Sequence, residues 1–138
     1  MKRIILTTSL MLPSMLTTTY VPYVPPMKDL VCIATNLYRE ARGEPLQGQV
    51  AVAQVVLNRA EKWNKTVCEI IYQKNQFSWT NVYKDVQYTF NEMNIVIQAY
   101  SAPRVKAMFY HANYVKPYWR KRLKREMTIG NHTFYYEL

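Results

Sequence analysis

The sequence predicts an α+β fold: one mainly helical domain carrying a small antiparallel β-sheet. Three observations predict it. Apolar residues recur at helical spacing through 28–62 and again through 86–100. Beyond Pro103 the pattern changes to two short aromatic runs, Ala107-Met108-Phe109-Tyr110-His111 and His132-Thr133-Phe134-Tyr135-Tyr136, which read as strands able to pair. The chain has 138 residues, which suits a single domain, and 49% of them are hydrophobic, which supports a core.

Residues 1–26 stand apart from that domain. Lys2 and Arg3 precede the apolar Ile4-Ile5-Leu6, and apolar character resumes at Met15-Leu16. This is a basic segment followed by an apolar one, as in export signals. Pro13 and several threonines dilute it, and no Ala-x-Ala site follows. A cleaved signal peptide, an uncleaved anchor and a flexible arm all remain open. The stretch is short and polar for a transmembrane helix, yet residues 4–21 are a candidate membrane contact. Val21-Pro22-Tyr23-Val24-Pro25-Pro26 reads as an extended linker, because each proline pushes the residue before it out of the helical region. The folded domain is therefore expected at 27–138.

The first helix is expected over 28–42. Leu30, Ile33, Ala34, Leu37 and Ala41 form its apolar stripe, Asp29 suits the first turn, and Gly43 is the expected stop. A second helix over 45–62 starts at Pro45 and carries the stripe Val50, Ala53, Val56, Leu57 and Ala60. Residues 66–72 read as a short helix and 73–80 as a polar-aromatic loop. A third long helix over 86–100 carries Val86, Phe90, Met93, Ile97 and Tyr100 on one face, and Pro103 ends it. The segment joining the two strands holds Pro117, Trp119 and the basic run 120–125, and reads as a loop.

The charge is lopsided, with 18 basic and 9 acidic residues giving +9. Nucleic acid, anionic lipid and cell wall are all partners that suit such a balance. The run at 120–125 is equally a solvated face. Cys32 and Cys68 read as buried thiols in a reducing compartment, or as a disulfide pair in an exported protein. His111 and His132 lack close ligand spacing with either cysteine, and no glycine-rich phosphate loop exists, so no metal or cofactor is expected. With 12 Tyr, 4 Phe and 3 Trp, aromatic faces are available for stacking on sugars or bases, or for ordinary packing.

The acids are Asp29, Glu40, Glu44, Glu61, Glu69, Asp85, Glu92, Glu126 and Glu137. Glu40 lies about 70° from the centre of its helix's apolar stripe, at about 100° per residue, which puts it at the rim of the core. Glu40 and Glu44 sit at i and i+4 and can face one cleft. Pairing of these carboxylates with Arg39 or Arg42 at a helix end is the competing structural reading. A glycosidase normally needs two carboxylates at a set separation, and Glu44 is the only second acid near in sequence. That scarcity favours a chemistry needing one.

The ordered segments carry a resemblance. They are 32–45, centred on Tyr38-Arg39-Glu40-Ala41-Arg42-Gly43-Glu44-Pro45; 48–59, ending Leu57-Asn58-Arg59; Thr66-Val67-Cys68-Glu69-Ile70-Ile71-Tyr72; Gln76-Phe77-Ser78-Trp79; Tyr110-His111; Val115-Lys116-Pro117-Tyr118-Trp119; and Ile129-Gly130-Asn131-His132-Thr133-Phe134-Tyr135. Together they resemble the cell-wall hydrolase family typified by the spore-cortex-lytic enzyme SleB, in its short bacterial and phage form. The resemblance covers nearly everything after Met27. It implies a lysozyme-like fold and cleavage of the β-1,4 bond between N-acetylmuramic acid and N-acetylglucosamine in peptidoglycan. It implies lytic transglycosylase action with Glu40 as the catalytic acid and base, giving 1,6-anhydro ends. Glu44, Gln76, Ser78, Trp79, Tyr110 and His111 are the implied groove residues, and Cys32 and Cys68 the implied disulfide. Arg39 departs from the aromatic or small residue expected before the catalytic glutamate. No cortex-binding domain accompanies the match, so a vegetative wall, or a phage's attack on one, suits it better than a spore. The implied protein is a monomer exported to the periplasm or cell wall. A hydrolytic muramidase and a non-catalytic cationic wall-binding module are the alternatives. Specific nucleic-acid binding explains none of the ordered segments.

Overall fold

The computed structural model describes residues 21–138. The elements in chain order are α1 (Met27–Glu40), α2 (Leu46–Trp63), α3 (Val67–Tyr72), α4 (Phe90–Ser101), β1 (Phe109–Ala112), β2 (Lys124–Ile129) and β3 (His132–Tyr136). Short 3-10 turns span Ser78–Asn81 and Tyr118–Arg122. The apolar signal-like stretch at 4–16 lies outside the described residues. Among the described residues, no helix is long and apolar enough to cross a membrane.

Helix α2 is the centre of the fold. The sequence predicts a stripe for it, but the helix is buried nearly all round: Ala51, Val52, Ala53, Val55, Val56 and Leu57 are in the core, while Val50 and Ala60 lie only partly buried at its edge. Three helices pack on it, so a single-stripe reading was too narrow. Ile33 and Leu37 of α1, Ile70 and Ile71 of α3, Val96 of α4 and Phe134 of β3 complete the core.

Polar side chains on α2 guide the chain from α4 into the sheet. Gln54 Nε2 donates to the Ala99 and Pro103 carbonyls at 3.1 Å each, and Gln54 Oε1 accepts from the Val105 amide at 3.0 Å. One turn later Asn58 Nδ2 donates to the Val105 and Ala107 carbonyls at 2.9 and 2.8 Å. These amides satisfy a backbone segment that has no strand partner of its own.

Three expectations need correction. Helix α1 ends at Glu40, where Ala41 caps it through its amide to the Leu37 carbonyl, rather than at Gly43. Helix α4 starts at Phe90 instead of 86, because Thr89 and Glu92 form a capping box: Glu92 Oε2 accepts from the Thr89 amide at 2.7 Å. Its buried face is Glu92, Ile95, Val96 and Ala99, so the expected face of Val86, Phe90 and Ile97 points to solvent. The third correction is a strand within the predicted loop. β2 pairs with β3, giving a three-stranded antiparallel sheet in the order β1-β3-β2. Its charged start, Lys124-Arg125-Glu126, hides the alternation, and a register shift between Arg125 and Met127 brings Met127 and Ile129 onto the core.

Cys32 of α1 and Cys68 of α3 are bonded, with Cα atoms 5.5 Å apart and a sequence separation of 36. Closing a loop of that length restricts the unfolded chain. The double change Cys32→Ser and Cys68→Ser is expected to cost about 3–4 kcal/mol of unfolding free energy. Denaturant unfolding of both proteins measures it; a loss under about 1 kcal/mol would mean that packing alone holds α3 on α1.

Candidate active site

Glu40 is the last residue of α1 and lines an open cleft with Arg59, Gln76, Phe77, Ser78 and Tyr110. Each element delivers its residue for a local reason. Tyr110 comes from β1, paired opposite Phe134 and packed on the His132 and Phe134 rings. Its hydroxyl donates to Glu40 Oε2 at 3.2 Å. The loop after α3 turns at Asn75, whose φ of 63° is in the left-handed region that asparagine tolerates. Phe77 then inserts into the core, which sets Gln76 and Ser78 on the cleft edge.

Burial raises the Glu40 carboxyl above the ordinary carboxylate range, against smaller opposing pulls from the Tyr110 hydrogen bond and from the Arg59 charge. Burial also pushes Tyr110 well above its usual value, so the phenol stays protonated and remains a donor. The pairing of Glu40 with Arg39 or Arg42 does not occur. Arg39 Nη2 binds the Asp85 carboxylate at 3.2 Å, and its guanidinium lies 4.0 Å from the Tyr83 ring centre. Arg42 lies over the Tyr38 ring at 4.6 Å. The unexpected arginine at position 39 is thus drawn off to the loop at 82–85.

Of the residues expected in a groove, Glu40, Gln76, Ser78 and Tyr110 come together. Glu44, Trp79 and His111 do not line that cleft. Because α1 stops at Glu40, the i, i+4 relation to Glu44 is lost. Glu44 instead binds the β2–β3 turn: Oε2 accepts from the Asn131 amide at 2.8 Å and Oε1 from Asn131 Nδ2 at 3.1 Å. Gly130 sits in that turn at φ 55° directly against Glu44 and Pro45, where no side chain fits. Trp79 is 6% exposed, too buried to stack on a sugar, and its indole donates to Asn36 Oδ1 at 2.9 Å. His111 lies on the other face of β1, stacked on Tyr135, with Nε2 3.1 Å from the Tyr135 hydroxyl.

Arg59 is the cleft residue that sequence reasoning missed. It is 5% exposed, and its Nε donates to the Met108 carbonyl at 2.6 Å. A signal was present: Val52, Val55, Val56 and Arg59 share one helical face, so a cation continues an apolar stripe.

The raised Glu40 pKa has a stability consequence. Between the ordinary carboxyl value of 4.5 and the raised native value, the folded protein holds a proton that the unfolded chain has released. Stability contributed by Glu40 therefore falls as pH rises through that window. Glu40→Gln is expected to unfold at higher temperature than wild type at pH 7, with the difference vanishing below the ordinary carboxyl range. Thermal unfolding across pH measures this; a Gln variant equally stable or weaker at pH 7 contradicts the burial account.

Residues 43–135 match the family described as Cell Wall Hydrolase, a span that opens three residues after Glu40. The spore cortex-lytic enzyme of Bacillus subtilis is 32% identical over 117 residues, covering 77% of this chain and 37% of that protein. That of Oceanobacillus iheyensis is 44% identical over 52 residues, 36% of this chain and 19% of that protein. These matches thus span well under half the length of the curated relatives. The fold is similar to the catalytic domain of the Bacillus cereus SleB protein, at a TM-score of 0.70 and 27% identity over 83% of this chain and 94% of that one. It is similar as well to the catalytic domain of the germination-specific lytic transglycosylase SleB from Bacillus anthracis, at 0.71 and 28% over 83% and 99%. The expected lysozyme-like architecture and the expected relationship hold, and the chain belongs to the cell wall hydrolase family.

Proposed function

We propose that this protein cleaves the glycan strands of peptidoglycan at the β-1,4 bond from N-acetylmuramic acid to N-acetylglucosamine, as a lytic transglycosylase. The observation that carries the reading is Glu40: a half-buried carboxyl with a raised pKa, in an open cleft where it is the only acid among the described lining residues. A mechanism using two carboxylates lacks its second partner there. Family membership and the fold match support the substrate class.

In this reading protonated Glu40 gives its proton to the glycosidic oxygen as the C1–O bond breaks and positive charge develops at muramic acid C1. The leaving N-acetylglucosamine departs with that proton on its 4-hydroxyl. The Glu40 carboxylate then takes the proton of the C6 hydroxyl while O6 bonds to C1, closing the 1,6-anhydro ring and restoring the acid. Tyr110 orients the carboxyl by holding Oε2, which leaves Oε1 for the proton transfer. Export, through the apolar segment at 4–16, belongs to this reading because the substrate lies outside the cytoplasm.

Incubation with purified walls, followed by mass spectrometry of the released fragments, tests the proposal. Fragments one water lighter than reducing-end products are expected, and Glu40→Gln is expected to lower their rate by about 10²–10⁴-fold. Reducing ends alone would establish simple hydrolysis. Unchanged wall clearance by Glu40→Gln would remove Glu40 from catalysis.

A further inference from the structure

Arg59 carries more hydrogen-bonding capacity than the protein uses. Its Nε is spent on the Met108 carbonyl. Its guanidinium lies against three rings, with centres 5.4 Å away at Phe109, 5.8 Å at Phe77 and 5.9 Å at Trp63. Those rings enclose the guanidinium without taking its remaining N–H groups. They leave Nη1 buried with no partner, on a residue that lines the cleft beside Glu40. Glu40 does not supply the missing acceptor: among the described residues, the ion pairs are Arg39 with Asp85 and Lys62 with Glu137.

The charges indicate which partner this N–H favours. Arginine stays cationic even where burial draws its pKa down, as it does here. When Glu40 holds its proton, Arg59 is the only formal charge among the described lining residues. A buried cation with a free N–H favours an electron-rich oxygen. Gln76 and Ser78 add polar groups on the same rim, which suits a sugar substituent better than an apolar one.

We propose that Arg59 Nη1 is a substrate-recognition donor, receiving a carbonyl-type oxygen borne by the sugar bound next to Glu40. This rests on the glycan-cleaving function proposed above and deepens it. Two groups on such a strand present that oxygen: the acetamido carbonyl and the carboxyl-derived carbonyl of the muramic lactyl ether.

Steady-state cleavage of three substrates by wild type and Arg59→Lys tests this. The substrates are native glycan strands, N-deacetylated strands, and strands with the lactyl carboxyl reduced to the alcohol. Lysine keeps the charge and loses Nη1, together with the Nε bond to the Met108 carbonyl. On native strands the variant's KM is expected to rise about tenfold or more over wild type, while any fall in kcat from the lost Met108 bond is the same on all three substrates. On whichever trimmed substrate lacks the recognised oxygen, wild type and variant are expected to have equal KM, which identifies the group. An equal KM penalty on all three substrates, or a fall in kcat with KM unchanged, overturns the proposal. Wild type that leaves native strands uncut contradicts the proposed function itself, a separate outcome. Should Arg59→Lys fail to fold, the guanidinium N–H resonances of Glu40→Gln decide. Slowed exchange with an N-acetylglucosamine–N-acetylmuramic acid tetrasaccharide, lost with one of its trimmed forms, is expected. Exchange unaffected by any of them overturns the proposal.

Discussion

A carboxyl group holds its proton more tightly where burial keeps water back and no cation pairs with it. The end of α1 is arranged to satisfy both conditions for Glu40. Three contacts fix the helix along its length: the bond from Cys32 to Cys68, the hydrogen bond from Trp79 to Asn36, and the ion pair from Arg39 to Asp85. The nearby arginines each have another partner. Arg39 goes to Asp85 and the Tyr83 ring, Arg42 lies on Tyr38, and Arg59 binds the Met108 carbonyl. Glu40 is left with one neutral donor, Tyr110.

The sheet depends on the same helices. Gln54 and Asn58 hold the backbone that leads from α4 into β1, and Arg59 fixes its end at Met108, so three residues on α2 set the position of Tyr110. At the far end of the sheet, Glu44 clamps the turn between β2 and β3. The two glutamates near the end of α1 thus divide the work. Glu44 is fully engaged with the protein, whereas Glu40 keeps one oxygen for the cleft.

The helices were legible because burial imposed a 3.6-residue period on α1, whose whole expected stripe is in the core. The helical period misleads where burial is not one-sided. α2 is enclosed on all faces, so its period carried little information. For α4 the apolar residues Phe90 and Ile97 were misleading, because they face solvent while Glu92 is buried. Thr89 and Glu92 were the better guide, being a capping box written in the sequence. β2 was hidden by its charged edge. In the site, Glu40 was recognisable as a rim residue from one helix alone. Gln76, Ser78 and Tyr110 were identified only through the family resemblance, since residues joined across the fold leave no local pattern. Trp79 and His111 came with them from the same segments and proved to pack elsewhere. Arg59 left a readable mark, a cation on an apolar face.

The ionisation of one side chain decides whether the cleft holds an acid. Carbon-13 NMR of the glutamate side-chain carboxyls, with the Glu40 signal assigned by its loss in Glu40→Gln, follows that ionisation directly. A midpoint for Glu40 clearly above the ordinary carboxyl value of 4.5 is expected. A midpoint at or below that value would mean that the Arg59 charge and the Tyr110 hydrogen bond outweigh burial, and that Glu40 is not held as an acid.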